Sequence, residues 1–189
     1  MTMNHKAFYG YIIAFAVVSF LWAQLLKQNT TTTSRTAVAH SADYFSVGYE
    51  KWQMDDEGHL DTQLTANKMT HYSDNKTIIL ESPAMIVDNK SAAPWQIRAQ
   101  TGELPANSDL ILLNGAVFIT RAGNAKEREI AIETSNLKVT PQTHFAQTNE
   151  WTQLRSGNNV TTGLGMKTTF NTPLHLELLA KVHGKYETK

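Results

Sequence analysis

Cysteine is absent from the 189 residues, and this absence excludes several kinds of site. Disulfide bridges, thiolate nucleophiles, cysteine-based zinc sites and lipid-modified cysteines all require a thiol. The lack of disulfides leaves the compartment open, because an extracytoplasmic domain of this size can fold without them. Missing cysteine therefore limits the chemistry and not the location.

The chain also lacks an excess of charge of either sign. Lys plus Arg and Asp plus Glu number 17 each, so the net charge is zero. A nucleic-acid-binding protein normally carries a basic field. We therefore expect no nucleic-acid partner.

Catalytic and metal-binding motifs are missing as well. The seven histidines form no His-Glu-x-x-His pair, and no Gly-x-Ser-x-Gly elbow occurs. Residues 165–168 resemble a phosphate-binding loop, but that loop needs Gly directly before Lys, and Met166 intervenes. Asp55-Asp56-Glu57-Gly58 lacks the spacing of a calcium loop and predicts a solvated turn. A glycosidase would need two carboxylates across a cleft, and a solvated outer face explains the glutamates equally well. We predict no enzyme, no cofactor and no metal.

One long apolar run is present, over Ala7–Leu26, and it contains no charged residue. At 1.5 Å per residue it spans about 30 Å, the thickness of a hydrocarbon core. A cleaved signal peptide is the alternative, but its apolar region runs only about 7–15 residues. We predict a cytoplasmic head over residues 1–6, a transmembrane anchor over 7–26, a flexible linker over 27–43 and a folded domain over 44–189 beyond the membrane.

In the folded domain the apolar residues alternate with polar ones, the period of a half-buried strand. Trp95–Ala99 alternates in this way, and Val117 and Ile119 share one face while Phe118 takes the other. Asn114-Gly115 lies between two apolar runs, which predicts a two-residue hairpin turn. Outside the predicted anchor no window has helical periodicity. The domain is predicted to be all-β.

Turn signals and a weak repeat divide the rest of the domain. Turns are predicted at Tyr72–Lys76 and Gly157–Asn159, and a break at Ser82-Pro83. Four short segments occupy equivalent places, each interpreted as a bend between a strand and its return strand: 66–69, 99–102, 134–137 and 162–166. The first strand is predicted to point four side chains inward: Tyr44, Val47, Tyr49 and Trp52.

Such strands have one apolar face that must be covered. If two layers of strands meet, this face becomes a closed core. If the layers splay apart, it becomes a groove for apolar ligands. The pattern alone leaves both arrangements open.

Several short segments, in their order and spacing along the chain, resemble those of the LptC family. Members of this family are single-pass inner-membrane proteins of lipopolysaccharide export. The segments that carry this resemblance are Tyr72-Ser73-Asp74, Pro83, Trp95–Ala99 with Gly102, Leu113–Val117, Gly157, Gly163–Met166 and Val182–Tyr186. The similarity covers the whole length and is loosest over residues 28–49.

The resemblance implies a twisted, partly open antiparallel β-jellyroll of stacked hairpins, with an apolar trough for acyl chains. It implies a domain on the periplasmic side that receives lipopolysaccharide from an inner-membrane ATP-driven (ABC) transporter. The lipid would then pass to a soluble periplasmic jellyroll. We expect the end at 172–186 to pair with the soluble jellyroll by edge-strand addition, and the end at 44–52 to pair with the transporter.

On this resemblance, strand parity predicts the side chains that line the trough: Leu80, Val87, Trp95, Ile97, Leu112, Val117, Ile119, Ile132, Leu137, Val139, Leu174 and Leu176. Gly58 and Gly157 match turn glycines of the family, and Tyr186 lies at the partner-binding end. The alternative is a membrane-anchored β-sandwich module with a closed core that binds protein or glycan through its outer surface.

Overall fold

The computed structural model describes residues 15–23, 41–88, 92–124, 128–171 and 173–187. The chain forms two compact units, Met1–Ala39 and His40–Lys189. In the first unit, residues 15–23 are helical. Within the described ranges no helix is both long enough and apolar enough to cross a bilayer. The predicted anchor extends beyond 15–23 on both sides, so it stays a prediction, as do the head and the linker.

The described residues of the second unit form a single antiparallel sheet of ten strands, in agreement with the predicted all-β class. The strands are β1 (Ala42–Met54), β2 (Leu60–Tyr72), β3 (Thr77–Glu81), β4 (Ala84–Val87), β5 (Trp95–Leu104), β6 (Ile111–Arg121), β7 (Ile130–Thr140), β8 (Phe145–Ser156), β9 (Asn159–Thr169) and β10 (His175–Lys185). Strand β1 begins inside the last residues of the predicted linker. Neighbours in the sheet are mostly neighbours in the chain, with β1 and β10 at its two edges.

Strands β3 and β4 act together as one interrupted strand between β2 and β5. Strand β3 pairs with residues 68–72 of β2, and β4 pairs with residues 62–65. Between them Ser82 has a positive φ of 50°, and Pro83 has no backbone N–H to donate. The predicted break at Ser82-Pro83 is confirmed.

The other long strands bend at the same level as this break. Register shifts interrupt β5–β6, β6–β7, β7–β8, β8–β9 and β9–β10 near their middles. Positive φ angles occur along the same line, at Gly48, Ser82, Gly115, Asn136, Gly165 and Lys181. Bulges of this kind kink a strand and increase its twist. We call this line the corner, and the four repeated segments of the sequence lie on it.

Asn114-Gly115 lies on the corner, so the predicted hairpin is wrong. Residues 111–121 form the single strand β6, with a register shift at this dipeptide. Gly115 has a φ of +79° and its N–H donates to Asn136 Oδ1 at 3.1 Å. A Cβ at this position would clash with the Gln100 side chain. The dipeptide therefore supplies a glycine bulge, which needs the same left-handed backbone as a tight turn.

The corner divides the sheet into two layers. The front layer contains β4 with residues 60–65, 95–98, 117–121, 130–134, 151–156 and 159–164. The back layer contains β3 with residues 68–72, 101–104, 111–113, 137–140, 145–148, 166–169 and 175–178. Apolar side chains from both layers form one buried cluster. Each fully buried aliphatic side chain in it contributes about 1.5–3 kcal/mol of transfer free energy.

Opposite the corner, the strand ends of the two layers approach each other along a side that we call the mouth. His144 Nε2 lies 2.8 Å from Asp61 Oδ1, and its Nδ1 lies 2.8 Å from Asn171 Oδ1. The rings of Trp95 and Phe170 are in contact, with centroids 5.3 Å apart. Asp61 and Trp95 belong to the front layer, whereas His144 and Phe170 lie at the ends of back-layer strands. These polar and aromatic contacts join the two layers at the mouth.

Candidate functional site

The interior contains most of the side chains predicted to line a trough. Nine of them have 0 % exposure: Leu80, Val87, Trp95, Ile97, Val117, Ile119, Ile132, Leu137 and Val139. Leu174 and Leu176 are half-buried and pack against the same cluster. The structure therefore brings eleven of the twelve residues together on one apolar face.

Leu112 is the exception and has to be reassigned. Its neighbours Ile111 and Leu113 are buried at 6 % and 1 %, so Leu112 points to the opposite face of the sheet. The error follows from the wrong hairpin. Across a two-residue turn Leu112 would oppose Val117 and share its face, but within one strand an odd separation places them on opposite faces.

The interior is packed in this structure. The buried threonines have hydrogen-bond partners; for example, the hydroxyls of Thr134 and Thr152 lie 3.0 Å apart. The fully buried aliphatic side chains contact one another. A ligand would reach them only if the layers or their side chains moved apart. Whether they line a trough stays a prediction.

The C-terminal edge leaves part of the inner face open. In β10 the inward Leu176 and Leu178 are half-buried, and every residue after Leu178 is exposed. Gly163 and Gly165 lie beneath this strand, where an added Cβ would stand 3.0 Å from Leu178 Cβ and from Leu179 Cδ1 respectively. These glycines let β10 approach β9 closely. In the sequence they are visible only as a glycine-rich stretch, which does not show this packing role.

The N-terminal edge exposes large apolar side chains. Of the four residues predicted to point inward, only Tyr49 packs against the core. Tyr44, Val47 and Trp52 are 50 %, 74 % and 60 % exposed, so that part of the prediction is wrong. They lie on an edge strand, where alternation alone could not show that no second layer covers them. Between β1 and the mouth, a shallow notch is lined in part by Leu64 and Ile111, one core residue from each layer.

Both edges keep one side unpaired within the described residues. Strand β1 pairs only with β2, and β10 only with β9. An unpaired strand edge presents backbone N–H and C=O groups that another chain can pair with. The inner face thus runs from one open edge of the sheet to the other.

Electrostatics at the edges is local. His71 Nδ1 lies 2.8 Å from Asp43 Oδ1, and this hydrogen bond lowers the pKa of the Asp43 carboxyl below its ordinary value. The ring of His71 stacks on Tyr44 at 4.6 Å. Burial raises the pKa of the Tyr49 phenol. These contacts join β1 to β2 and form no catalytic constellation.

The two turn glycines lie where the sequence placed them. Gly58 (φ +83°) ends the acidic turn, in which Asp55 Oδ1 accepts hydrogen bonds at 2.9 Å from the backbone N–H groups of Glu57 and His59. Gly157 (φ +58°) lies in the β8–β9 turn. Asp55, Glu57 and His59 form an exposed cluster of possible metal ligands, and the turn geometry already explains Asp55. Tyr186 follows β10 and is 68 % exposed.

Comparison with known proteins identifies the chain. A family model described as lipopolysaccharide-assembly, LptC-related, matches residues 11–187. Among solved structures, the chain is similar to LptH of Pseudomonas aeruginosa, described as the LptA-homologous periplasmic component of the lipopolysaccharide transport device. The TM-score is 0.51 and the identity 5 %, over 67 % of this chain and 95 % of that chain, so this likeness shows the fold alone. No curated protein matches.

Fold and site together define an antiparallel β-jellyroll with an aliphatic inner face and two edges that each have one neighbour in the described sheet. The chain belongs to the LptC family, and its role is in lipopolysaccharide transport. The family is not enzymatic, in agreement with the sequence-based prediction.

Proposed function

We propose that this protein is a periplasmic lipopolysaccharide-binding domain held at the inner membrane by a single N-terminal helix, with its N-terminus in the cytoplasm. It receives lipopolysaccharide from an inner-membrane ATP-driven transporter and passes it to a soluble periplasmic jellyroll. The observation that carries the proposal is an apolar inner face that extends between two open sheet edges.

The interior suits acyl chains because it offers aliphatic contact without specific bonds. Burying a methylene gains about 0.8 kcal/mol, so a twelve-carbon chain gains roughly 9 kcal/mol before ordering costs. Plain aliphatic walls also let a chain slide. The domain then needs no chemistry of its own, since the driving force comes from the transporter.

The open edges suit transfer between proteins. Strand addition at β10 would join this sheet to that of the soluble jellyroll, and addition at β1 would join it to the transporter's periplasmic part. Each junction would continue the inner face of one protein into the next. The exposed apolar side chains of β1 support this proposal, because such an edge favours coverage by a partner.

The test is photo-crosslinking in cells at two adjacent positions of β10. Leu176 points inward and is half-buried, whereas Glu177 is exposed on the other face. We expect a photoreactive residue at Leu176 to become attached to lipopolysaccharide and one at Glu177 not to. Position 97 with its exposed neighbour Arg98 provides a second pair in the sheet centre.

A second candidate function rests on the packed interior. Nine predicted trough residues with 0 % exposure are also what a closed-core module would show. Such a module would bind protein or glycan through its outer face. Attachment only at Glu177 and Arg98, with none at Leu176 and Ile97, would favour this candidate and contradict the lipid-binding proposal.

A further inference from the structure

A hydrogen-bonded pair joins the two layers at the N-terminal end of the mouth. His144 Nε2 lies 2.8 Å from Asp61 Oδ1, and both side chains are 19 % exposed. Asp61 is also held from the neighbouring strand β1, since Gln53 Nε2 donates to its Oδ2 at 3.3 Å. Hydrogen bonds to a carboxylate are stronger than those between neutral groups. The pair therefore ties β2 in the front layer to the β7–β8 turn of the back layer.

On the back-layer side, contacts of both backbone and side chain fix the position of His144. The residue has a φ of 50° at the end of the short 3₁₀ turn Pro141–Thr143, and its N–H donates to the Pro141 carbonyl at 3.0 Å. Its own carbonyl accepts the N–H of Phe170 at 2.9 Å, and its Nδ1 lies 2.8 Å from Asn171 Oδ1. His144 thus connects the β7–β8 turn and the residues after β9 to Asp61.

The shallow notch between β1 and the mouth lies beside this pair. Its walls include Leu64 from the front layer and Ile111 with Pro141 from the back layer. Lys51 lines the notch on the side of β1 and pairs in register with Leu64, so both side chains lie on the inner face. The volume of about 20 Å³ has room for about one water molecule and not for a hydrocarbon chain.

We propose that the notch is the port through which an acyl chain of an amphiphilic ligand enters between the layers. The pair of Asp61 and His144 is the latch that keeps this port narrow. When the latch breaks, the back-layer wall at Ile111 and Pro141 moves away from Leu64, and the notch becomes continuous with the aliphatic interior. This inference rests on the proposed function and adds to it the place of entry and the contact that controls entry.

The first test measures the rate at which a naturally fluorescent polyene fatty acid binds to the full chain in nonionic detergent. His144→Ala should bind the probe about two- to tenfold faster than the wild type, because the net contribution of one hydrogen bond shifts the closed-to-open equilibrium by about that factor. His144→Gln keeps a side-chain N–H donor and should restore slow binding. Asp61→Asn weakens the latch from the other layer, and it serves if His144→Ala fails to fold.

The matched control is His71→Ala. His71 Nδ1 also lies 2.8 Å from a carboxylate oxygen, that of Asp43, but this pair joins the neighbouring strands β1 and β2 and not the two layers. Its loss should leave the binding rate of the fatty acid unchanged. Equal acceleration by His71→Ala and His144→Ala would show general loosening of the domain and would overturn the latch.

The second test locates the port by photo-crosslinking of purified full chain to lipopolysaccharide. Lys51 lines the notch, whereas Glu50 lies on the outer face, where its carboxylate accepts from Gln63 Nε2 at 2.6 Å. We expect a photoreactive residue at position 51 to become attached to the lipid and one at position 50 not to. Combining position 51 with His144→Ala should increase the attachment.

Failure of the inference is distinguishable from failure of the proposed function. Equal binding rates in the wild type, His144→Ala and Asp61→Asn would remove the latch and leave lipid binding intact. Faster binding in these variants without attachment at position 51 would place entry elsewhere along the mouth and overturn the port. No binding of the fatty acid or of lipopolysaccharide by the wild type would contradict the proposed function as well.

Discussion

The middle of the sheet and its two edges differ in how far their apolar side chains are buried. In β4–β8 the inward side chains are buried by the opposite layer, and the outward positions are mostly polar. In β1 large apolar side chains stay exposed, and in β10 the inward leucines are only half-buried. The centre is therefore covered within one chain, whereas the edges leave apolar surface that we propose a partner covers. Stability and assembly should respond to substitutions in different regions.

The largest effect is expected in the centre. Ile132→Ala removes buried methyl and methylene groups at a position with 0 % exposure, and should lower the free energy of unfolding by about 2–5 kcal/mol. Denaturant unfolding of the full chain measures this. The control Val47→Ala changes a side chain that is 74 % exposed and should alter stability by less than about 0.5 kcal/mol. Equal losses at both positions would contradict the distinction between centre and edge.

The corner should give an intermediate effect. Gly115→Ala places a side chain at φ +79° and against Gln100, and should cost about 1–3 kcal/mol. Gly58→Ala has a similar φ of +83° with nothing within 4 Å, and should cost only the backbone part, about 1 kcal/mol. The difference in unfolding free energy isolates the contact at the corner. If the two variants lose the same amount, the Gln100 side chain moves aside freely.

At the edges, assembly should change more than stability. Val47→Asp and Val182→Asp alter side chains that are 74 % and 53 % exposed, so unfolding free energies should move by about 0.5 kcal/mol or less. Co-purification of the tagged chain should show loss of the transporter with Val47→Asp and loss of the soluble jellyroll with Val182→Asp. Retention of both partners by both variants would refute edge-strand pairing at these sites.

A bulky residue at Gly157 provides a related test. Its φ is +58°, so Gly157→Val is strained, although the nearest atom to an added Cβ is Arg128 Cδ at 3.6 Å. We expect weaker partner binding or impaired folding. Thermal unfolding together with co-purification separates these two effects, and unchanged values in both would refute the role given to this turn.

The smallest effect concerns pH at the N-terminal edge. The hydrogen bond from His71 lowers the folded pKa of Asp43, so its contribution is present above the ordinary value of 3.8 and is lost as pH falls through the lower folded value. Because the pair is exposed, the effect on β1 pairing should be slight. Hydrogen exchange of β1 amides in wild type and Asp43→Asn measures it: the two should differ above pH 3.8 and converge as the pH falls below the lowered pKa of folded Asp43.

The inner face could largely be predicted from the sequence, since parity within a strand is a local property. Val117 and Ile119 point inward and Phe118 outward, as alternation indicated. Alternation gave the wrong face for Leu112, because residues 111–121 form one strand and not the predicted hairpin. The dipeptide Asn114-Gly115 is compatible with both a hairpin turn and a bulge, because both need a residue with positive φ. The choice depends on whether residues 111–121 pair with each other or with β5 and β7, which is a long-range property.

The edges and the mouth could not be predicted for a related reason. Exposure of Tyr44 and Trp52 depends on where the sheet ends, and alternation does not report that. The contact between Asp61 and His144 joins residues far apart in the chain. The burial of Arg121 depends on its register with Trp95, which is also a long-range property.

If lipid enters the interior, the two layers must separate, because the inner face is packed in this structure. The cysteine-free chain allows spin labels at two introduced cysteines, Arg98→Cys on the exposed face of the front layer and Lys138→Cys on that of the back layer. The distance between the labels should increase when lipopolysaccharide binds to the full chain. An unchanged distance distribution in the lipid-saturated protein would contradict the account.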